Sequence, residues 1–299
     1  MTGVHCIIII LLMRVVQQYT SKSASMLVPS DAYGNFKYLM LGDLFASVFA
    51  LGVLIFSGEF KQIDLMTVLL ASFSGIMLVV TSFCGIYAIK SGSMALSSIF
   101  GTAGLIVPCV AGIFLFDEKM SIMQWVGIAM FLASSVLLIG ATKKTNSKFS
   151  LKTVFLLIGS LVGNGITMLM QTVFSRTVEN GSVSAFSFLS FSIPTVALLV
   201  VMGGCKIKAP EESKPRLPKK LMIVIIASSA ALFVVNQFAT MATGLVSPAI
   251  LFTFINGGNT VIAAIMGAAL FKEKLTVKSI IGITLGLLAL ITVKVFAPV

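Results

Sequence analysis

Two charged side chains stand inside otherwise apolar segments of the chain. Arg14 follows the run "IIIILLM", and Asp43 lies within "YLMLGDLFAS". A charge at membrane depth costs from about 3 to over 10 kcal/mol, and such residues usually mark the path of an ion or a substrate. An arginine there suits a carboxylate or a phosphate, because its planar guanidinium donates two parallel hydrogen bonds. An aspartate there suits a proton carrier or a partner for that arginine.

The depths of Arg14 and Asp43 would let the two side chains meet. Arg14 precedes Lys22 by eight residues and Asp43 follows Lys37 by six, which at about 1.5 Å per helical residue puts them roughly 12 and 9 Å below the same face. Three interpretations follow. The two residues form a buried ion pair; Arg14 snorkels toward a lipid headgroup; or Arg14 anchors an anionic or zwitterionic solute, while Asp43 tunes it or carries a coupling proton.

Uncharged polar residues recur at helical spacing in three apolar segments, the first of them together with Arg14. The three stripes are Gln17, Gln18 and Ser21; Asn164, Thr167 and Gln171; and Asn236, Thr240 and Thr243. Steps of three and four residues place each set on one face of a helix. The stripes predict either a water-filled cavity for a solute, or interhelical hydrogen bonds worth about 0.6 kcal/mol each.

Two further features complete the candidate solute site. In "FINGGNTV", Asn256, Asn259 and the glycines between them would weaken a helix in mid-membrane, and such interruptions often coordinate substrate in transporters. The glycines also allow close packing, as does "GTAG" at 101–104. We assign the glycines to packing and Asn259 to the cavity, with Asn256 beside it. Tyr87 is either an interfacial anchor or a cavity wall.

The composition points to a lipid bilayer as the surrounding solvent. Of 299 residues, 58% are hydrophobic and 10% are charged, whereas a soluble domain carries about 25% charged residues. The net charge is +11, but the basic residues cluster between apolar blocks, which indicates membrane topology and not a nucleic-acid partner. The four cysteines have no metal or pairing pattern, and we expect neither a metal nor a cofactor.

Apolar segments of spanning length recur ten times along the chain. We predict a helix for each, because backbone polar groups must be paired in lipid and the runs lack the strict alternation of a barrel. The ten segments are 3–21, 38–57, 65–89, 93–116, 121–142, 153–174, 183–204, 220–243, 248–271 and 275–297. Only two connections have any length, 22–37 and 205–219. The predicted fold class is an all-α integral membrane protein.

The chain also contains an internal repeat. The sequence "LFDEKMSIMQWVGI" at 115–128 returns as "LFKEKLTVKSIIGI" at 270–283, and Gln17, Ser21 and Lys22 align with Gln171, Ser175 and Arg176. The chain therefore divides into two repeats of five helices, 1–145 and 146–299. Because five is odd, the second repeat enters the membrane from the opposite side, and inverted repeats of this kind indicate a secondary transporter with a site between the halves.

The distribution of basic residues predicts the orientation. The side bearing the loops after segments 2, 4, 6 and 8 has only Lys61, Lys119, Arg176 and Lys294, and Arg14 lies inside segment 1. The other side holds the remaining 16 of the 21 basic residues. Basic loops stay in the cytoplasm, so we expect both termini to be extracytoplasmic in a multi-pass protein of the cell membrane.

The repeated "LFxEK", the following helix with Gly-Ile, the ten segments and the five-plus-five duplication resemble the drug/metabolite transporter superfamily in its EamA-like branch. The resemblance extends over nearly the whole chain. It implies two inverted five-helix bundles around a central cavity, with helices 5 and 10 at the periphery, and alternating access driven by an ion or an exchanged solute. Many members have cytoplasmic termini and a basic loop after helix 2, whereas here that loop, "SGEFKQID", has one lysine.

We therefore expect a secondary transporter of a small polar metabolite or drug-like solute. The alternative within transport is a flippase for a lipid-linked sugar or another amphiphile, and the alternative of another class is a non-transporting membrane scaffold. An enzyme is disfavoured, since the single histidine is His5, Asp43 is the one deep acid, and neither a zinc-protease nor a nucleophile-elbow nor a phosphate-loop motif occurs.

Overall fold

The computed structural model describes residues 2–28, 32–90, 100–140, 151–204, 218–271 and 276–297, and these ranges are helical almost throughout, with no strand. The one 3-10 turn in these ranges, Glu59–Gln62, lies between two of the α-helices. The helices, numbered in chain order, are α1 Gly3–Leu27, α2 Ala32–Ser57, α3 Leu65–Lys90, α4 Ile106–Phe116, α5 Ile122–Gly140, α6 Leu151–Thr177, α7 Val183–Gly204, α8 Lys219–Thr243, α9 Pro248–Phe271 and α10 Val277–Val295.

Most of these helices can span a bilayer. In the described ranges, eight are long and apolar enough to cross a membrane, and two shorter apolar helices occupy Phe100–Phe116 and Ile122–Leu138. Large apolar side chains such as Phe56 and Phe114 are exposed on the outside of the helices, as expected where lipid and not water surrounds the protein. These helices confirm, for the described ranges, the expectation of an all-α, multi-pass membrane protein.

One predicted connection is wrong. The sequence predicts a loop at 22–37, but α1 continues to Leu27 and α2 begins at Ala32. The helix ends where Pro29 follows Val28, which has extended backbone angles (φ −81°, ψ 129°), because a proline disfavours the helical conformation in the residue before it. Other predicted residues, including 93–99, 141–142 and most of the 205–219 connection, lie outside the described residues.

Eight helices pack in a ring that alternates between the two halves of the chain. Following the contacts, the order is α1, α8, α2, α7, α3, α6, α4, α9 and back to α1. Each helix of the first half therefore lies between two helices of the second half. Apolar side chains fill the contacts, with Ala46, Phe191 and Phe233 meeting where α2, α7 and α8 join. The two halves are interleaved and do not form separate bundles.

The remaining helices, α5 and α10, pack against each other beside α9. Their contact depends on glycines: a Cβ at Gly282 of α10 would lie 2.8 Å from Leu138 Cγ, and one at Gly286 would lie 2.8 Å from Ser134 Oγ. The close approach lets Ser134 Oγ donate to the carbonyl of Gly282 at 2.6 Å. Small residues at such spacing allow helix backbones to approach in a membrane.

The connections after α2, α4, α6 and α8 meet at one end of the bundle, called here the Arg176 end. Ser182, before α7, donates to Glu59 Oε2 at 2.7 Å. Arg176 near the end of α6 pairs with Glu118 after α4 at 2.5 Å. Ser121, before α5, donates to the carbonyl of Phe296 at 2.7 Å. These contacts join segments that are far apart in the sequence.

The substitution Gly127→Ala tests the α5–α10 contact. A Cβ at Gly127 would lie 2.7 Å from Val293 Cγ2 and 3.2 Å from the backbone oxygen of Ala289, so we expect a loss of about 1–3 kcal/mol, as in other overpacked cores. The measurement is the apparent melting temperature of the detergent-solubilised protein. Gly52→Ala in α2 is the matched control, because its Cβ meets no atom within 4 Å, and it should not lower that temperature.

Candidate functional site

Arg14 continues the buried face of α1. Cys6 and Ile10, one turn apart, are fully buried, and Arg14 follows one turn later, half-buried. Its Nη1 donates to Gln17 Oε1 at 2.7 Å. Its Nε is buried and has no hydrogen-bond partner among the described residues. The guanidinium therefore has an unused donor at membrane depth, where lipid offers no acceptor.

Asp43 is buried on α2, and its side chain is 7% exposed. One turn later, Ser47 and Ser192 of α7 share a hydrogen bond of 2.7 Å, and a Cβ at the preceding residue, Gly42, would lie 4.0 Å from Ser229 Oγ of α8. Asp43 thus lies on α2 at the level where α7 and α8 pack against it. In the described part of the chain, no ion pair or hydrogen bond engages its carboxyl group.

The structure does not form the ion pair that the depths of Arg14 and Asp43 allow. Arg14 bonds to Gln17 of its own helix, and the one ion pair of the described ranges joins other residues. The interpretations as a snorkelling side chain and as a solute anchor stay predictions. The separation has a physical consequence, since an unpaired charge in a membrane is more costly than a paired one and each of the two groups needs another partner.

Four of the predicted residues meet in pairs that bridge helices. Gln18 Nε2 of α1 donates to Asn259 Oδ1 of α9 at 2.8 Å. Gln171 Nε2 of α6 donates to Asn236 Oδ1 of α8 at 2.6 Å. These are interhelical amide hydrogen bonds of the kind that join helices in membranes. The two amide pairs lie on α1, α6 and α8, whose stripes predict the cavity, and on α9, which carries the "FINGGNTV" segment.

Asn164 and Asn256 bond to backbone carbonyls. Asn164 Nδ2 of α6 donates to the carbonyl of Gly101 at 2.6 Å, which ties α6 to the chain just before α4. Asn256 Nδ2 donates to the carbonyl of Phe252 at 3.0 Å and lies 3.9 Å from Met168 Sδ. Both amides are therefore engaged in helix contacts, and a solute would have to compete with those contacts to reach their donors.

The two threonines of the site differ in their bonding. Thr167 Oγ1 donates to the carbonyl of Gly163 in its own helix at 2.9 Å. Thr240 is fully buried, and its Oγ1 has no hydrogen-bond partner in the described ranges. An unsatisfied buried hydroxyl costs free energy, so the Thr240 hydroxyl destabilises the fold unless a further group bonds to it.

Tyr87 packs among aromatic rings. Its ring centroid lies 4.5 Å from that of Phe83 on the same helix and 6.4 Å from that of Phe36 on α2. Both separations fall in the range of favourable aromatic pairs. The ring therefore joins α3 to α2 near the end of the bundle opposite Arg176.

Helix α9 runs unbroken through Gly257 and Gly258, so the weakening expected at "NGG" does not interrupt it. A Cβ at Gly257 would lie 2.9 Å from Leu290 Cδ2 and 3.2 Å from Phe131 Cδ2, and Gly258 faces Leu11 closely. The glycines let α1, α5 and α10 pack against α9, in agreement with their assignment to packing.

The sequence stripes do not include Arg176, which forms the one ion pair of the described ranges. Arg176 Nη2 lies 2.5 Å from Glu118 Oε1, and its Nε donates to the carbonyl of Thr243 at 2.9 Å. The guanidinium also lies 4.9 Å from the centre of the Phe116 ring, within the range of cation–π attraction. The signal that points to these residues is the repeat, which aligns Glu118 with Glu273 and Arg176 with Lys22.

A second bridge missed by the stripes joins α7 to α8. Gln237 Nε2 donates to Ser184 Oγ at 3.0 Å, and Ser187 Oγ donates to Gln237 Oε1 at 3.0 Å. Both polar atoms of the glutamine amide are thus engaged. Within the described ranges, no three His, Cys, Asp or Glu side chains gather as metal ligands do.

A double-mutant cycle tests the Gln171–Asn236 bridge. We expect the alanine substitutions at the two positions to be non-additive by about 0.6 kcal/mol, the average for interhelical hydrogen bonds in a membrane protein. The apparent melting temperature of the single and double variants reports the coupling. The control cycle combines Gln171→Ala with Asn164→Ala, which bonds to Gly101 instead and should be additive. Equal behaviour of the two cycles would remove the bridge as a stabilising contact.

Comparison with known proteins identifies the fold alone. No protein-family model matches the chain, and no curated protein matches its sequence. One solved structure, described only as a crystal structure of a protein, superposes with a TM-score of 0.78 at 12% identity, covering 99% of this chain and 98% of the other. The arrangement of helices is therefore shared along nearly the full length with an experimentally determined structure. The sequence identity is too low to indicate a shared function.

Proposed function

We propose that the chain is a secondary transporter that moves a small polar solute across the cell membrane by alternating access. The observation that carries the proposal is the ring of eight helices, drawn alternately from the two halves, with polar residues of α1, α6, α8 and α9 bonded between helices. A scaffold has no need of polar groups inside such a ring, since each of them is costly in lipid.

The internal repeat supports an inverted duplication of five helices, residues 1–145 and 146–299. Exchanging each helix for its repeat partner (α1 for α6, α2 for α7, and so on) turns the ring order α1, α8, α2, α7, α3, α6, α4, α9 into the same ring read backwards. A pseudo-two-fold axis through the ring would produce this pattern, as in transporters built from inverted repeats. We infer ten membrane crossings and membership of the EamA-like type.

Arg14 is the proposed anchor for the solute. Its guanidinium has a buried Nε without a partner, while Nη1 is held by Gln17. A carboxylate or phosphate would supply the missing acceptor in the two-point geometry that arginine favours. The proposed solute is accordingly anionic or zwitterionic, with Gln18, Asn259, Gln171 and Asn236 as amide contacts and Thr240 as a hydroxyl contact.

Asp43 is the proposed coupling residue. It is buried without an ion-pair partner in the described ranges, and buried acids of this kind form proton relays in transporters. We expect Asp43→Asn to remove the pH dependence of transport while leaving solute exchange measurable. Transport assayed across a pH gradient in proteoliposomes provides the measurement, and a variant with the pH dependence of the parent would exclude the role.

Solute counterflow in proteoliposomes tests the proposed function. A panel of carboxylates, phosphates and amino acids is first screened by thermal shift, and the hits are assayed for exchange. We expect Arg14→Ala to reduce exchange at least tenfold, because a charge-assisted hydrogen bond is worth about 1.5–3 kcal/mol. Lys278→Ala, at an exposed position of α10, is the control and should exchange as the parent does. Lipid scrambling without solute exchange would indicate a flippase, and neither activity would indicate a scaffold.

The native Cys205 tests the proposed orientation, in which both termini are extracytoplasmic. With Cys6, Cys84 and Cys109 replaced by alanine, Cys205 in the basic connection after α7 is the remaining thiol. We expect an impermeant maleimide to label it in inverted vesicles and not in intact cells. Labelling in intact cells would reverse the orientation.

A further inference from the structure

Contacts that cross the ring join α6 to α8 at the Arg176 end. These two helices are not neighbours in the ring, yet they touch. Gln171 bonds to Asn236, and Arg176 Nε donates to the carbonyl of Thr243 at 2.9 Å. Thr243 Oγ1 lies 2.7 Å from the carbonyl of Thr240 in its own helix and 3.2 Å from the carbonyl of Gln171, and its one hydrogen is shared between them. The interior of the ring is therefore occluded at this end by side chains from facing helices.

The repeat-equivalent helices at the opposite end behave differently. The partner of α6 is α1 and the partner of α8 is α3, so an exactly symmetric ring would join α1 to α3 as it joins α6 to α8. No comparable contact between α1 and α3 exists within the described residues. The crossing contact between α6 and α8 therefore has no counterpart of similar extent between α1 and α3 in the described ranges.

Arg176 links three segments at the occluded end. It pairs with Glu118, which follows α4 in the first half, and bonds to Thr243 at the end of α8 in the second half. The side chains of Arg176 and Glu118 are 21% and 11% exposed, so water screens this ion pair less than an exposed one. The pair is the one ion pair between the halves in the described ranges.

The backbone around Glu118 is shaped to hold its carboxylate in place. Asp117 has a left-handed conformation (φ 51°), which turns the chain back over the end of α4, and the Glu118 amide donates to the carbonyl of Gly112 at 3.2 Å. A Cβ at Gly112 would lie 3.0 Å from Glu118 Oε2, so any larger residue there would press on the carboxylate. Glu118 Oε2 is itself buried and has no hydrogen-bond partner in the described part of the chain.

We infer that the Arg176–Glu118 ion pair is a latch that keeps the interior closed at the Arg176 end, and that opening to this side requires it to break. The inference rests on the proposed function, because a latch has a use only in a protein that opens alternately to its two sides. The repeat aligns Arg176 and Glu118 with Lys22 and Glu273, of which the Lys22 side chain and Glu273 lie outside the described residues.

A thiol placed behind the latch provides the test. Thr240→Cys is introduced with the four native cysteines replaced by alanine; Thr240 is fully buried, one turn inside Thr243. An impermeant maleimide is applied from the Arg176 side, and the labelling rate is measured. We expect Glu118→Gln and Arg176→Gln each to raise the rate at least tenfold, the factor corresponding to about 1.4 kcal/mol, whereas the double exchange of Glu118→Arg with Arg176→Glu brings it back toward the parent rate.

Two matched substitutions serve as controls. Glu179→Gln makes the same chemical change at an exposed position three residues after Arg176, and Glu273→Gln makes it at the repeat-equivalent position of Glu118. Neither should raise labelling from the Arg176 side. Elution of each variant at the parent position in size-exclusion chromatography establishes that it is folded.

The outcomes separate the latch from transport itself, since labelling needs no solute. An unchanged rate in both Glu118→Gln and Arg176→Gln overturns the latch, even if the parent exchanges solute by counterflow. Faster labelling in all three carboxylate variants also overturns it, because the effect would then not depend on this ion pair. Faster labelling in the latch variants alone supports the latch. Solute exchange is measured separately on the protein with its native Thr240; if that protein exchanges no solute, the proposed function fails and the gating contact stands.

Discussion

A polar side chain inside a bilayer must find its partner within the protein, because lipid offers none, and this constraint accounts for most of what distinguishes the structure. Gln18 is hydrogen-bonded to Asn259, Gln171 to Asn236, and Gln237 to two serines, and each of these bonds joins two helices. Such bonds fix which helices are neighbours and at what height they meet. Apolar packing alone would leave those choices weakly determined, since lipid tails are as apolar as the side chains.

A few buried polar groups have no hydrogen-bond or ion-pair partner within the part of the protein that the structure describes. Arg14 Nε and Thr240 Oγ1 are buried and unsatisfied in the described ranges, and Asp43 is buried without an ion pair. Unsatisfied groups destabilise a fold and persist where they have a use. Arg14 and Thr240 belong to helices whose stripes predicted a cavity, and Asp43 lies on α2, between α7 and α8 in the ring. Thr67 Oγ1, Thr253 Oγ1 and Glu118 Oε2 are also buried without a hydrogen-bond partner in the described ranges. The proposed solute and coupling sites are thus among the places where a buried polar group lacks a protein partner.

The interleaving of the two halves couples all the helix contacts of the ring to one another. Because each helix of the first half lies between two of the second, a movement of one half relative to the other alters every contact of the ring. Contacts that cross the interior, such as that between α6 and α8, can form at only one end if the other is to admit a solute. The charged pair of Arg176 and Glu118 lies at the end where they have formed.

The sequence was sufficient for the positions of most helices in the described ranges but not for which helices pack together. Runs of about twenty apolar residues specify a spanning helix wherever they occur, so α7 and α9 match their predicted limits. The loop expected at 22–37 failed because "KSASML" is polar enough to resemble a loop and yet compatible with helix until Pro29 ends it. The depths of Arg14 and Asp43 were readable from residue counts, but depth does not give the direction in which a side chain points. Their separation depends on the ring order, which no local pattern encodes.

The central claim is that the ring opens alternately at its two ends, and distances across those ends test it directly. Spin labels at Glu179 and Leu245, both exposed beside the ends of α6 and α8, report the Arg176 end, and labels at Ser23 and Phe83 report the ends of α1 and α3. Double electron–electron resonance is recorded in lipid nanodiscs, with and without the strongest ligand from the thermal-shift panel. The account predicts two distance populations at each end, with the ligand shortening the distance at one end as it lengthens the other. A single, ligand-independent distance at both ends would contradict it.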